Sequence, residues 1–274
     1  MKHSFESTEL TLVNSPLIGA LHVPRTDTPR LVVCIGGSDG STSRLVARSL
    51  AREGFATAAI EYYGQLGLPP KLTEIPLEYF MDAIGWLRER VRPAQDFVAL
   101  RGHSRGGQCA LILGALGLDA SAIIAYVPSA TTGWTTDTRT GAKSPTWLWN
   151  GAPVPWTFDP TRPSHGGDEI PVERITSPLL LFSATDDQQW PSHESCLRIV
   201  DRLEASPTRP PYEHVSYPEA GHGISYPPPF ALPLTWGGTL EANRRATVDS
   251  WQRSLTFLRR AATSTRGRGV GEHA

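Results

Sequence analysis

The sequence predicts an α/β fold, a mostly parallel sheet covered by helices on both faces, and three observations carry that prediction. Short continuous apolar runs alternate with amphipathic ones along most of the chain, as expected for strands buried on both faces between covering helices. The spacing of the runs leaves room for a crossover helix between successive strands. One strand, Phe97–Leu100, passes through Arg101 into Gly102-His103-Ser104-Arg105-Gly106 and then into an Ala/Leu-rich helical stretch, Gln108 to Leu116. That is a strand, a sharp turn and a helix around Gly-x-Ser-x-Gly, the context in which this pattern forms a nucleophile elbow.

In chain order, Leu10–Val13 and Leu17–Val23 read as opening strands placed to pair antiparallel. Leu31–Ile35 reads as a strand buried on both faces, ending in Gly36-Gly37-Ser38-Asp39-Gly40, with a helix following to about Glu53. That glycine-rich loop has neither the dinucleotide nor the Walker spacing, which argues against a phosphate loop. Phe55–Ile60 is the next strand. From Pro76, Phe80, Ile84, Leu87 and Val91 recur at helical spacing. After the elbow helix come the strands Ala122–Val127 and Leu179–Phe182, a helix from about Ser192, and the strand His214–Tyr217. Val248, Trp251, Leu255 and Leu258 mark a final amphipathic helix.

Two segments break the rhythm. Residues 128–173 lack clear periodicity and hold Trp134, Trp147, Trp149 and Trp156, half of the eight tryptophans. An excursion of that length is expected to act as a lid or binding loop, with Trp134, Trp149, Trp156 and Trp190 lining an apolar pocket. Ile224–Gly238 is proline-rich. The expected organisation is one domain over residues 1–262 with 128–173 as a cap, and a disordered tail over 263–274.

Composition narrows the function classes. With 26 Lys+Arg against 27 Asp+Glu and a formal net charge of -1, there is no basic stripe, so neither nucleic acid nor an anionic membrane surface is an expected partner. Met1 to Leu10 lacks the apolar run of a signal peptide, and no stretch approaches bilayer length. Cys34, Cys109 and Cys196 are widely spaced and fall in strand- or helix-like runs, which reads as buried thiols in a reducing, cytoplasmic setting. Neither a metal nor a cofactor is expected, and the sequence does not indicate an oligomeric state.

A serine hydroxyl needs a base, usually a histidine oriented by a carboxylate. In the α/β-hydrolase arrangement the order is serine, acid, histidine, each on a loop after a core strand. Here the strand Leu179–Phe182 runs into Ser183-Ala184-Thr185-Asp186-Asp187, and Tyr217 leads into Pro218-Glu219-Ala220-Gly221-His222-Gly223. The triad is therefore Ser104, Asp187 and His222. Asp187 is preferred to Asp186 because it begins an Asp-x-x-Trp-Pro run, leaving Asp186 to fix the turn. His103 is expected to face away from the reacting carbonyl, and His165, His193 and His214 to be surface or packing residues. The oxyanion hole should use the backbone N–H of Arg105 with one from Ser38 or Gly37.

Gly54-Phe55-Ala56, Glu61-Tyr62-Tyr63-Gly64, Pro76-Leu77-Glu78-Tyr79-Phe80, Pro171-Val172-Glu173-Arg174, Asp186-Asp187-Gln188-Gln189-Trp190 and Trp236-Gly237-Gly238, taken with the elbow and the His222 loop, resemble one family. It is the C-terminal catalytic domain of type-I acyl-CoA thioesterases and bile acid-CoA:amino acid N-acyltransferase. The resemblance runs from about Leu31 to Arg260 and places the family's serine, aspartate and histidine on Ser104, Asp187 and His222. It implies a small-molecule acyl thioester as substrate, linked to coenzyme A or a carrier protein. Animal members carry an N-terminal β-sandwich domain, so their long-chain specificity is not carried over. The amino-acid-conjugating members often use cysteine as nucleophile, and the serine here tilts the expectation toward hydrolysis. The rival readings are transfer to an amine or hydroxyl, an oxygen-ester hydrolase of the carboxylesterase or dienelactone-hydrolase kind, and a binding module that has kept only the fold. Arg101, Arg105 and Lys143 are candidate phosphate contacts.

Overall fold

A computed structural model describes residues 3–38, 43–136, 140–156, 169–230 and 236–264. Its centre is an eight-stranded sheet. The strands, in chain order, are β1 (Phe5–Leu10), β2 (Ile18–Pro24), β3 (Leu31–Ile35), β4 (Ala56–Glu61), β5 (Ile75–Pro76), β6 (Val98–His103), β7 (Ala122–Tyr126), β8 (Trp134–Thr136), β9 (Lys143–Pro145), β10 (Trp147–Trp149), β11 (Ala152–Pro153), β12 (Leu179–Ala184) and β13 (Tyr212–Tyr217). The main sheet has the order β1-β2-β4-β3-β6-β7-β12-β13. The β1–β2 and β2–β4 pairs are antiparallel and every other pair is parallel.

The helices are α1 (Ser43–Arg52), α2 (Glu78–Val91), α3 (Arg105–Ala115), α4 (Ser192–Glu204) and α5 (Leu240–Ser264). They cover both faces, and strand alternation shows how. Leu31, Val33 and Ile35 face a core shared with Phe80, Ile84 and Leu87 of α2, Leu111 of α3 and Ile199 of α4. Val32 and Cys34 face the opposite core, with Val46 and Leu50 of α1 and Trp251, Leu255 and Leu258 of α5. The mostly parallel sheet read from the apolar runs is therefore present. All three cysteines are buried and unbridged, and burial pushes the Cys34 thiol up to about 12.

Three expectations need correction. The first strand is Phe5–Leu10 rather than Leu10–Val13, because residues 11–15 form the turn of the β1–β2 hairpin. There the Thr11 carbonyl accepts from the N–H groups of Asn14 and Ser15, the Asn14 side chain accepts from Thr11 N–H at 2.9 Å, and Val13 is 97% exposed. Val248 lies off the buried face of α5, at 50% exposure. Finally, α5 continues through Ser264, so the tail expected from residue 263 begins inside the helix, and 265–274 lie outside the described residues. The excursion 128–173 is also not structureless. It contains the β8–β9 pair, and β10 pairs parallel with β5 and antiparallel with β11. Residues 157–168 of it, His165 included, lie outside the described residues. Among the described residues no helix is long and apolar enough to cross a membrane.

Candidate active site

Strand β6 ends at His103 and α3 begins at Arg105, so Ser104 alone makes the turn, with φ 57° and ψ −119°. A side-chain-bearing residue reaches that conformation only when its surroundings impose it. Two backbone bonds do so: Ser104 N–H donates to Tyr126 O at 2.9 Å, and Ser104 O accepts from Gln108 N–H at 3.0 Å. The flanking glycines are sterically obligatory. A Cβ on Gly102 would lie 2.0 Å from Gly106 O, and one on Gly106 would lie 2.2 Å from Ile35 O. Ser104 is 4% exposed, and its hydroxyl hydrogen-bonds to no side chain among the described residues, a common state of such groups in ligand-free sites.

The loops after β12 and β13 bring Asp187 and His222 together. His222 Nδ1 and Asp187 Oδ2 are 2.8 Å apart, with side chains 5% and 1% exposed. The other carboxylate oxygen of Asp187 accepts from the N–H groups of Gln189 and Trp190 at 3.0 and 3.3 Å, which fixes its plane. Asp186 serves differently: its Oδ2 accepts from Gly238 N–H at 2.7 Å, and its own N–H donates to Ala220 O. It therefore ties the two loops to each other. Within the segment after β13, Asn243 of α5 joins the two ends, accepting from Gly221 N–H at 2.8 Å and donating to Gly237 O at 3.1 Å.

Three rings enclose the imidazole of His222, with centroids 5.0 Å (His103), 5.3 Å (Trp190) and 6.2 Å (Trp236) from it. Since His103 precedes Ser104, its ring contact brings the elbow and the His222 loop to one end of the sheet. Burial, with His222 and Arg101 nearby, holds the His103 imidazole well below its ordinary range, so it is neutral. The Trp190 indole N–H donates to Val127 O at 2.9 Å. Val127 has φ 43°, a strained value for a β-branched residue, just beyond the end of β7.

The loop after β3 closes the other side. Tyr62 O–H is 3.0 Å from both Gly36 O and Gly37 O, and Tyr63 O–H donates to Ser38 O. A Cβ on Gly37 would be 3.1 Å from Ser104 Cβ, so this loop lies directly against the elbow. The N–H groups of Gly37, Ser38 and Arg105 find no acceptor among the described residues.

The sequence-predicted pocket residues are only partly gathered. Trp190 stands beside His222. Trp156 is buried at 7% exposure and Trp149 packs on the same core, while Trp134 lies in the β8–β9 pair. Trp147, in the same excursion, is hydrogen-bonded to the elbow helix. Its indole N–H donates to Gln108 Oε1 at 2.6 Å, and Gln108 Nε2 donates to Thr131 O at 2.5 Å. Arg101 is no phosphate contact, because its guanidinium lies 4.3 Å from the Tyr126 ring centroid and donates to Ser225 O inside the core. His193 and His214 hydrogen-bond to Ser216 and Ser183, away from the site. Among the described residues no group of three or more His, Cys, Asp or Glu is placed to hold a metal.

These features define a class: the α/β-hydrolase fold, with a serine at the elbow and a carboxylate–histidine pair on the loops of two later strands. A putative dienelactone hydrolase from Klebsiella pneumoniae subsp. pneumoniae MGH 78578 shares the fold at a TM-score of 0.64 and 17% identity, covering 93% of this chain and 98% of its own. Within the class, residues 157–264 match the family described as BAAT / Acyl-CoA thioester hydrolase C terminal. That match bears out the resemblance read from the sequence. It is 31% identical over 251 residues to human acyl-coenzyme A thioesterase 1, covering 83% of this chain and 59% of that relative. It is also 31% identical to human acyl-coenzyme A thioesterase 2, mitochondrial, covering 83% and 51%. The chain thus spans somewhat over half the length of these curated relatives.

Proposed function

We propose that this chain hydrolyses acyl thioesters, carried by coenzyme A or by a carrier protein, through an acyl-Ser104 intermediate. The observation that carries the reading is the 2.8 Å contact between His222 and Asp187 beside a serine held in the strained elbow conformation. Ser104 Oγ attacks the thioester carbonyl as its proton passes to His222 Nε2, and Asp187 holds the Nδ1–H tautomer and steadies the imidazolium. The N–H groups of Arg105 and of Gly37 or Ser38 stabilise the tetrahedral oxyanion. Collapse expels the thiolate, a good leaving group because thiol pKa values lie near roughly 8.5; it takes the proton from the His222 imidazolium and departs as the thiol, which leaves His222 neutral. Water, deprotonated by His222, then attacks the acyl-enzyme and releases the acid. We take the chain through the end of α5 at Ser264 as the catalytic domain and residues 128–173 as its cap.

The test is a panel of acyl-CoA and acyl-pantetheine thioesters beside matched oxygen esters, with products identified by mass spectrometry. Thiol and free acid are expected, with Ser104→Ala lowering kcat by about 10⁴-fold or more. Equal or better turnover of the oxygen esters would overturn the thioester reading. Conjugates formed when amines are present would make the enzyme a transferase.

A further inference from the structure

Residues 11–17 and 62–70 hold no charged side chain, although charged residues make up 19% of the chain, and the fold brings these two runs together. The first is the turn between β1 and β2, the second the start of the loop that leaves β4. Leu10 pairs with Gly19, Ile18 with Glu61, and Ile35 with both Ile60 and Gly102. Both runs therefore lie at the end of the sheet where Ser104 stands. They touch, since a Cβ on Gly67 would be 2.6 Å from Leu12 Cδ1. Val13 and Leu66 are each 97% exposed there, and Leu12 is 46% exposed. A single exposed leucine or valine needs no explanation, whereas three on adjoining uncharged tips mark an interaction surface. The loops also satisfy themselves. Thr11 O accepts from the N–H groups of Asn14 and Ser15, Gly64 N–H donates to Pro69 O at 2.7 Å, and Leu68 N–H donates to Gln65 O at 3.0 Å. Pro16, Pro69 and Pro70 have no N–H to satisfy. The flanking carboxylates, Glu9 and Glu61, both pair with Arg44 at 2.8 Å.

We infer that this tip docks on a lipid surface of zwitterionic headgroups, with Leu12, Val13 and Leu66 entering it and holding the active-site end of the sheet against it. The chemistry selects that partner. Neither run offers a lysine or arginine, so anionic headgroups gain nothing there. Apolar side chains gain from leaving water whatever the headgroup charge. Backbone groups already bonded within the loops cost little as they approach an apolar boundary. A protein partner or a second copy needs about 20–30 residues a side for a stable interface, and two short loop tips fall well below that. The placement also connects the tip to the site. The Leu66 loop begins at Tyr62 and Tyr63, whose hydroxyls hold the carbonyls of Gly36, Gly37 and Ser38, and it ends at β5, which pairs with β10 of the excursion. The inference does not depend on the thioester reading.

The experiment is flotation of the full chain with phosphatidylcholine vesicles at low and high salt, comparing the wild type with Val13→Ser, Leu66→Ser and the double variant. The wild type is expected to float with the vesicles equally at both salt concentrations. Each single variant should lower the partition coefficient by about tenfold and the pair by about 100-fold, the worth of one and two apolar side chains returned to water. Because both side chains are almost wholly exposed, the urea midpoint should not move, which separates lost docking from lost folding. Val248→Ser, half-exposed on α5 over β7 and β12, should float like the wild type. No flotation, or flotation that the double variant retains, would overturn the inference. An equal loss in Val248→Ser would overturn it too, as would binding that requires phosphatidylserine and disappears in salt. A wild-type dimer in sedimentation equilibrium that the double variant dissociates would assign the tip to a second copy instead.

Discussion

Asp186 and Asp187 are adjacent and chemically identical, yet their oxygens meet different partners, and this separates their roles. Asp187 faces His222 while Asp186 faces the Gly238 amide. Asp187→Asn keeps the volume but removes the charge that orients the imidazole, so kcat should fall by about 10⁴-fold with little change in KM. Asp186→Ala leaves the triad intact and frees one backbone amide, so urea unfolding should register a loss of about 1–2 kcal/mol. A larger kinetic defect in Asp186→Ala than in Asp187→Asn would reverse the assignment. Tyr62 acts one step further out. Its hydroxyl holds the Gly36 and Gly37 carbonyls, which leaves the Gly37 and Ser38 amides available to an oxyanion. Tyr62→Phe should therefore lower kcat by about tenfold while leaving KM nearly unchanged, because the lost orientation matters most when charge develops. A rise in KM alone would mean that Tyr62 shapes binding instead.

The elbow helix α3 joins the Ser104 turn to the excursion above it, and Gln108 is where the two meet. Fully buried, it accepts from Trp147 and Arg105 and donates to Thr131. Gln108→Leu fits the volume but strands the Trp147 indole N–H and leaves the Thr131 carbonyl with the Ser129 hydroxyl as its donor, so a loss of about 1–3 kcal/mol is expected in urea unfolding. Retained stability would mean that the excursion docks through its apolar contacts alone. This contact also shows what the sequence could not convey. Strands β3, β6, β7 and β12 were legible because each is a short apolar run buried on both faces, and the Ser104 elbow and the Asp187–His222 pair were legible because they follow strands at fixed places in this topology. The pairing of Gln108 with Trp147 spans 39 residues of chain. No local pattern encodes it, although a glutamine within an apolar helix was a sign that a buried partner existed. Tyr62 and Tyr63 were visible only as family-like residues, because their hydroxyls act across the sheet on a loop 25 or 26 residues away. The misplaced first strand has a plainer cause. Leu12 and Val13 are apolar, but the asparagine at 14 and the serine at 15 close a hairpin around them.

At the scale of the whole molecule, the titrating groups set the pH range in which the fold persists. His22, His103 and His214 are each held below the ordinary imidazole value of 6.5, chiefly by burial. For a histidine depressed in the folded state, the unfolded chain binds more protons between the folded value and 6.5, so stability is full above 6.5 and falls as the pH drops below it. Glu9 and Glu173 are lowered by hydrogen bonds from Arg44 and Arg202, and their contribution is lost only below about 4.5. On the alkaline side burial raises Tyr79 to about 12 from 10.0, so stability should decline again above about pH 10. The urea midpoint is therefore expected to be level from about pH 7 to 9 and to fall from pH 6.5 toward 5. The slope should approach about 1.4 kcal/mol per pH unit for each histidine kept neutral. His103 contributes most, being 4% exposed and beside both Arg101 and His222, so His103→Phe should flatten the slope even if it lowers the plateau. Unfolding rather than turnover is the right readout, because the proposed reaction would also change the protonation of His222. A midpoint level from pH 8 to pH 5 would mean that His103 accepts a proton inside the folded protein, and the neutral ring packed between the elbow and His222 would have to be abandoned.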